Sequence, residues 1–242
     1  MSDPSDVAAE LAARVTAATA LLVETAAGLS DEQVRAASGL PGWTRGHLLA
    51  HIARNADSLR NLLIWARTGV ETPQYATPDE REEGIAAGAD RPAAEQAADV
   101  RASAELLAAE AAALDSGNWT VEVRGANGQP HPALFTLWRR LQEVEIHHVD
   151  LDAGYLPADW PEAFAAECLP KVTDDVTRRG WPRLTLSASD SGTEYQIGQD
   201  AAESPVIVTG DTRQLLAWLI GRTDGAGLTA EPAGPLPGLP SW

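Results

Sequence analysis

GLPGWTRGHLLAHIARNADSL, residues 39–59, reads as a loop, a helix start and the buried first half of a helix. Pro41 and Gly42 break the chain, and Thr44 offers an N-cap oxygen. Leu48, Ile52, Leu59 and Leu63 then recur at the period of an α-helix, which is expected to run to about Arg67 before Gly69 stops it. His51 falls mid-helix between Leu48 and Ile52, whereas His47 lies one turn from the N-terminus, where solvent is expected.

Three more helices of similar length flank this one. Residues 4 to about 28 place Val7, Leu11, Val15, Leu21, Leu22 and Ala26 at helical spacing, with Ser30 and Asp31 marking a break. An Ala-rich, acidic stretch predicts a helix from Pro92 to about Leu114. Another is predicted from Pro132 to about Ala153, packing Leu134, Leu137, Leu141, Val144 and Leu151. Four such helices make a bundle. The connection over residues 69–92 is long for a compact bundle, a length that usually signals function or linkage and permits a crossover. Trp119 to Arg124, followed by the turn signal Ala126-Asn127-Gly128, predicts a short hairpin.

After GYLPADWP, residues 154–161, the texture changes. A fifth helix is expected over Pro161 to Arg179, then short strands over Leu184–Ala188, Glu194–Ile197 and Pro205–Thr209. A helix capped by Asp211 follows through Ile220, and the tail GPLPGLPSW predicts coil. The fold class is therefore α+β: a four-helix bundle over residues 1–156 and a smaller α/β domain over 157–242.

A chain of 242 residues with formal charge −17 argues against a nucleic-acid or anionic-membrane surface, which needs clustered lysine and arginine. No span approaches the roughly 18 to 20 apolar residues needed to cross a bilayer. The start, MSDPSDVAAELAARV, has acids where a secretory signal is basic, so a cytoplasmic location is expected. Any small anionic substrate must be drawn in by locally placed arginines. The single cysteine, Cys168, lies in AFAAECLPKV and is expected to be a buried, inert thiol. Thiol chemistry would need a thiol from outside the chain.

Histidine occurs at 47, 51, 131, 147 and 148. Glu143 and His147 are four residues apart, so at about 100° per residue they lie within roughly 40° on one helix face. His148 is rotated roughly 140° from Glu143 and cannot share a ligand with it on a regular helix. Glu and His at this spacing also pair as a plain helix contact, and spacing alone favours that reading. A metal would need a third donor from a facing helix, for which His51 is better placed than His47; two imidazoles and one carboxylate suit zinc and leave a fourth position open. Asp150, three residues past His147, is an ordinary helix-end acid or an outer-shell partner.

Local context adds to this. GLPGWTRGHLLAHIARNADSL resembles the second-helix signature of the DinB-like metalloenzyme superfamily, which delivers a first histidine at His51. WRRLQEVEIHHVDLDAG, residues 138–154, resembles its fourth-helix signature, which supplies Glu143 and His147. WARTGVETPQYATPDEREEGI, residues 65–85, and LIGRTDGAGL, residues 219–228, are similar to stretches of mycothiol-dependent maleylpyruvate isomerases. The resemblance implies a DinB-like bundle, a divalent metal such as zinc on His51, Glu143 and His147, and mycothiol as thiol cofactor. It also implies that Arg81 and Arg222 face the metal pocket, which the second domain closes, and bind a small dianionic substrate. His148 and the plain third helix depart from the family pattern, and the latter leaves the thiol contacts unassigned.

The implied reaction is cis–trans isomerisation of maleylpyruvate to fumarylpyruvate, a step of gentisate-type aromatic catabolism, by a cytoplasmic monomer. A mycothiol S-transferase and a metal-stabilised, non-catalytic binding protein are the competing readings.

Overall fold

The computed structural model describes residues 3–198 and 206–240, in two units, Met1–Gly154 and Tyr155–Trp242. In the first unit the long helices are α1 (Pro4–Ala27), α3 (Arg45–Thr68), α5 (Ala93–Ala112) and α6 (Leu134–Asp150). α3 packs on α5 and α6, and α1 packs on the same two, so the four close a bundle. Leu48, Ile52, Leu59, Leu63, Leu137, Leu141, Val144 and Leu151 are buried in it as their spacing predicts. Leu21, expected on the interior face of α1, is exposed.

The start of α3 is fixed by a reciprocal cap. Thr44 accepts from the His47 amide at 3.2 Å, and the His47 ring Nδ1 lies 2.7 Å from the Thr44 hydroxyl. His47 is thus engaged at the helix end. Gly69 ends α3 with φ of 73°, a left-handed conformation that glycine adopts without a Cβ penalty.

The connection after α3, long enough to permit a crossover, is not without structure of its own. It carries α4 (Glu80–Ala89), which packs along α3. Two glycines permit that approach. A Cβ on Gly46 would sit inside contact distance of the Ala89 carbonyl oxygen, and one on Gly88 would lie 2.8 Å from the Ala50 Cβ. Gln96 closes the junction by donating to the carbonyls of Gly88 and Ala89 at 2.9 and 3.0 Å. A second addition is α2 (Asp31–Arg35), where the sequence marked only a break. The hairpin pairs β1 (Glu122–Arg124) with β2 (Pro130–Pro132), so Pro132 belongs to a strand and α6 starts two residues later than predicted.

In the second unit α7 (Glu162–Arg178) buries Cys168, and the sheet runs β4-β3-β5-β6. β3 (Leu184–Ala188) pairs antiparallel with β4 (Thr193–Ile197) and parallel with β5 (Val206–Gly210). The fourth strand, β6 (Thr229–Glu231), pairs antiparallel with β5 and gave no signal in the sequence. Pro205, expected to open the third strand, and the last two residues of the tail lie outside the described residues. α8 (Thr212–Leu219) starts at the predicted cap, Asp211 accepting from the Gln214 amide at 2.9 Å. Among the described residues no helix is long and apolar enough to cross a membrane.

The approach of α4 to α3 is testable. In Gly46→Ala the better helix former gains about 1 kcal/mol of propensity, but the new methyl meets backbone that cannot yield, a form of overpacking that costs about 1–3 kcal/mol. We expect a lower urea midpoint with an unchanged slope; a midpoint equal to that of the parent chain would mean that α4 does not press on α3 at this point.

Candidate metal centre

Two polar stripes meet inside the apolar bundle. On α3 the buried polar residues are His51, Asn55 and Ser58; on α6 Arg140, Glu143, His147 and Asp150 recur at spacings of three and four. These spacings keep each set on one helix face. Where the stripes face each other, one carboxylate oxygen joins them. Glu143 Oε2 lies 3.0 Å from His51 Nε2 and 3.3 Å from His147 Nε2, and the two imidazole rings stand edge to face at 4.9 Å.

His51, Glu143 and His147 are the only three-residue metal-capable group among the described residues, with their donor atoms all within 4.8 Å of one another. Donors held about 2.0–2.1 Å from a tetrahedral zinc ion lie roughly 3.3 Å apart, so this donor set fits such an ion. His147 Nδ1 lies 2.8 Å from Asp150 Oδ2. Asp150 is therefore an orienting partner: its carboxylate accepts the Nδ1 proton and turns Nε2 toward Glu143. His148 points elsewhere, its Nε2 lying 2.8 Å from the Thr25 hydroxyl of α1. His131, in β2, makes its described contacts with Pro132 and Phe135.

The electrostatics follow from burial set against these contacts. Burial works to raise the pKa of Glu143, yet hydrogen bonds from His147 and His51 hold it well below the ordinary carboxylate range. Burial would lower His147, but Asp150 and Glu143 together push it up to about 9. His51 has less support, and desolvation wins over its bond to Glu143, so its pKa is lowered. The metal-free centre at neutral pH therefore holds an ionised Glu143, a protonated His147 and a neutral His51.

These residues line a cavity of about 310 Å³. Arg81, brought in by the first turn of α4, places Nη2 3.4 Å from His51 Nδ1 and its Cζ 5.9 Å from the Trp43 ring. It also pairs with Glu82. Trp43 in turn stands edge-on to His51, ring centres 5.6 Å apart. Arg139 adds a second cation to the same wall. Sequence reading passed over Arg139, although its spacing of four residues before Glu143 was a signal. Gln74 and Tyr75 also line the cavity and were quoted only as part of a stretch. Gln74 donates to Ser58 Oγ at 3.1 Å and accepts from the Ala126 amide at 2.8 Å, tying the linker to α3 and to the hairpin loop. Burial and Glu143 raise the Tyr75 pKa against the pull of Ser58 and Arg81, so its phenol stays protonated. Arg222 belongs to the second unit, where its guanidinium donates to the Ile220 carbonyl at 2.7 Å.

The family model of the mycothiol maleylpyruvate isomerase N-terminal domain matches residues 15–152, and that of the MDMPI C-terminal domain matches residues 159–241. Two solved structures are similar over the whole of both chains, each with 31% identity and a TM-score of 0.91. One is the mycothiol-dependent maleylpyruvate isomerase and the other a variant of it with a histidine changed to alanine. A comparison with curated proteins gives no match.

The Asp150 contact predicts a titration. In the metal-free protein the His147 ring should titrate near 9, followed by NMR, and in Asp150→Asn it should titrate lower. The linked stability has a definite sign: a raised histidine pKa stabilises the fold below the ordinary histidine value of 6.5, and this contribution is lost as pH rises toward about 9. An unshifted His147 in Asp150→Asn would remove Asp150 from this role.

Proposed function

Because the chain belongs to the mycothiol maleylpyruvate isomerase family, we propose that it is a mycothiol-dependent cis–trans isomerase converting maleylpyruvate to fumarylpyruvate. The observation that carries this reading is the convergence of His51, Glu143 and His147 on one point of a cavity that also holds arginines. The buried state of Cys168, the only cysteine, supports a nucleophile brought from outside.

A divalent ion would be held by His51 Nε2, Glu143 Oε2 and His147 Nε2. Zinc suits this set, although other first-row ions share its preferences. When bound, the metal supplies Lewis acidity that favours a thiolate, and the thiol supplies the nucleophile whose reversible addition makes the conjugated double bond rotatable. The chain's own residues do the rest. Glu143 serves as a ligand and not as a base, since a carboxylate whose pKa both histidines hold well below the ordinary range is a weak proton acceptor. Asp150 keeps the His147 proton on Nδ1 and leaves Nε2 as donor. With Nε2 of His51 committed to an ion, that ring would carry its proton on Nδ1 and would no longer accept from Arg81. The guanidinium, still close to the Trp43 face, is then available to a substrate carboxylate and to charge developing on the adjacent carbonyl oxygen.

A chain of net charge −17 repels dianions at long range, so Arg81 and Arg139 in the cavity wall have to reverse that field locally. The Arg222 assignment rests on the likeness of its local stretch to the family. A cytoplasmic monomer acting in gentisate-type catabolism completes the proposal.

Bound metal and mycothiol-dependent turnover of maleylpyruvate, measured on one purified sample, test this reading. His51→Ala and His147→Ala should lose most metal and activity, while His148→Ala keeps the metal. Arg81→Ala should keep the metal and lose roughly ten- to hundredfold in kcat/KM, the scale of a charge-assisted hydrogen bond. Stable adducts with generic electrophiles and no isomerisation would point to a transferase instead; full activity in Arg81→Ala would remove the substrate role given to that residue.

A further inference from the structure

Helices α3 and α6 run antiparallel, since Arg45 at the start of α3 donates to the Leu151 carbonyl at the end of α6, at 2.6 Å. Four residues forward on α3 and four back on α6 therefore lead the same way along the pair. From the contact of His51 with Glu143 that step reaches Asn55 and Arg139, about 6 Å farther on at 1.5 Å per residue. Both residues line the metal cavity.

Asn55 has one orientation. Its Oδ1 accepts from Arg140 Nη1 at 2.9 Å, and because a guanidinium has donors only, the carboxamide cannot be turned round. The same Nη1 donates to the Ile52 carbonyl at 2.8 Å, which holds Arg140 in place. Nδ2 of Asn55 is left over. It makes no hydrogen bond among the described residues, yet it is not one of the sealed polar atoms that lack a partner, as Arg140 Nε and Nη2 are. It therefore keeps surface on the cavity that Asn55 lines, a donor without an acceptor. Arg140 is fully buried, and with its pKa lowered only to about 10 it is charged at neutral pH. Its pull on Oδ1 strengthens Nδ2 as a donor.

Stability alone favours a different residue at this position. The acids that act on Arg140, Glu143 and Asp57, do so only through space. Aspartate at position 55 would occupy the same volume and pair a buried cation that otherwise lacks an ion-pair partner. Asparagine forgoes that pairing and gives the cavity a neutral donor where aspartate would place a negative charge.

We propose that Asn55 Nδ2 and the Arg139 guanidinium form the seat of one carboxylate of the dianionic substrate, the one farther from the metal ligands, with Arg140 as the positioning residue that aims Nδ2. The seat rests on the isomerase reading and sharpens it. Arg81, 3.4 Å from His51, stands at the ligand level and takes the nearer carboxylate. A diacid with a carboxylate at each end is then held at two levels about one helical turn apart. Two such contacts fix its direction in the cavity and discriminate against monoanions.

The test uses the full-length, metal-loaded chain and two measurements: maleylpyruvate turnover with mycothiol, and calorimetric titration with adipate, a flexible diacid that no thiol attacks. Asn55→Asp keeps the volume and the bond to Arg140 but replaces the donor by an anion. It should hold its metal and melt no lower than the parent chain. KM for maleylpyruvate should rise and adipate affinity fall, each at least about tenfold, with most of the activity loss in KM and not in kcat. Arg139→Gln should shift the same two quantities, and the double variant should fall short of the product of the single effects, because both residues act on one carboxylate. A lower melting temperature or lost metal in Asn55→Asp, unchanged KM and adipate affinity, fully multiplicative effects in the double variant, or no adipate binding by the parent chain would each overturn the seat. The two readings fail separately. Turnover by the parent chain with Asn55→Asp unchanged overturns the seat alone; adipate binding that weakens in Asn55→Asp, with no turnover by the parent chain, overturns the isomerase reading and keeps a dicarboxylate seat.

Discussion

Glu143 Oε2 is the atom on which the arrangement of the first unit depends. It takes a contact from His51 on α3 and another from His147 on its own helix, so α3 and α6 meet in one register only. Sliding one helix by a turn would leave an ionised carboxylate facing leucines, at the cost of an uncompensated buried charge. Both flanks of the contact are secured. Thr44 fixes where α3 begins, and Arg45 in the next position donates to the carbonyls of Leu151 and Asp152 at the end of α6, at 2.6 and 2.7 Å. The start of one helix is thereby tied to the finish of the other, with the carboxylate between.

A polar seam of this length is a poor way to stabilise a bundle. Apolar residues of the same volume would serve as well or better, because desolvating several charged groups offsets most of what their pairing returns. Its presence points to selection for a site. The hydrogen bonds that hold His51, Glu143, His147 and Asp150 also aim three donor atoms at one point before any ion arrives, so little reorganisation is left for binding. Partial exposure of Glu143 and His147 keeps the centre open to the cavity, while His51 closes it from behind.

The bundle helices and their phases were legible because apolar period, caps and stop glycine all agree over residues 44–69. Glu143 and His147 were legible for the same reason: a four-residue spacing on a regular helix fixes relative direction. What spacing cannot give is the identity of the facing residue, which depends on how two helices dock. The place of His51 among core residues favoured it over His47, the family resemblance added to that, and the structure places its Nε2 against Glu143. α4 was missed because two glycines, Gly84 and Gly88, interrupt its ten residues and weaken its helical signal, and it is held by packing on α3 through Gly46 and Gly88. The position of Arg81 beside His51 was therefore invisible from local sequence alone. Asp150 was undecidable for another reason: an acid near a helix end faces solvent or a partner depending on one turn of chain, and here the contact with His147 buries it. β6 is three residues long and exists only because β5 offers an edge to it.

Two doublets in α6, Arg139-Arg140 and His147-His148, show what the helical geometry does with repeated residues. Successive side chains diverge by about 100°, so the two members of a doublet take different surroundings. Arg139, Glu143 and His147 stand four residues apart and share the metal cavity. His148 turns away from it and meets Thr25 on α1, whereas Arg140, seven residues before His147, stays on the side of α3 and donates to Ile52 and Asn55. Because the Arg140 guanidinium holds Asn55, which lines the metal cavity, a side chain buried behind that wall fixes one of its residues through a single hydrogen bond.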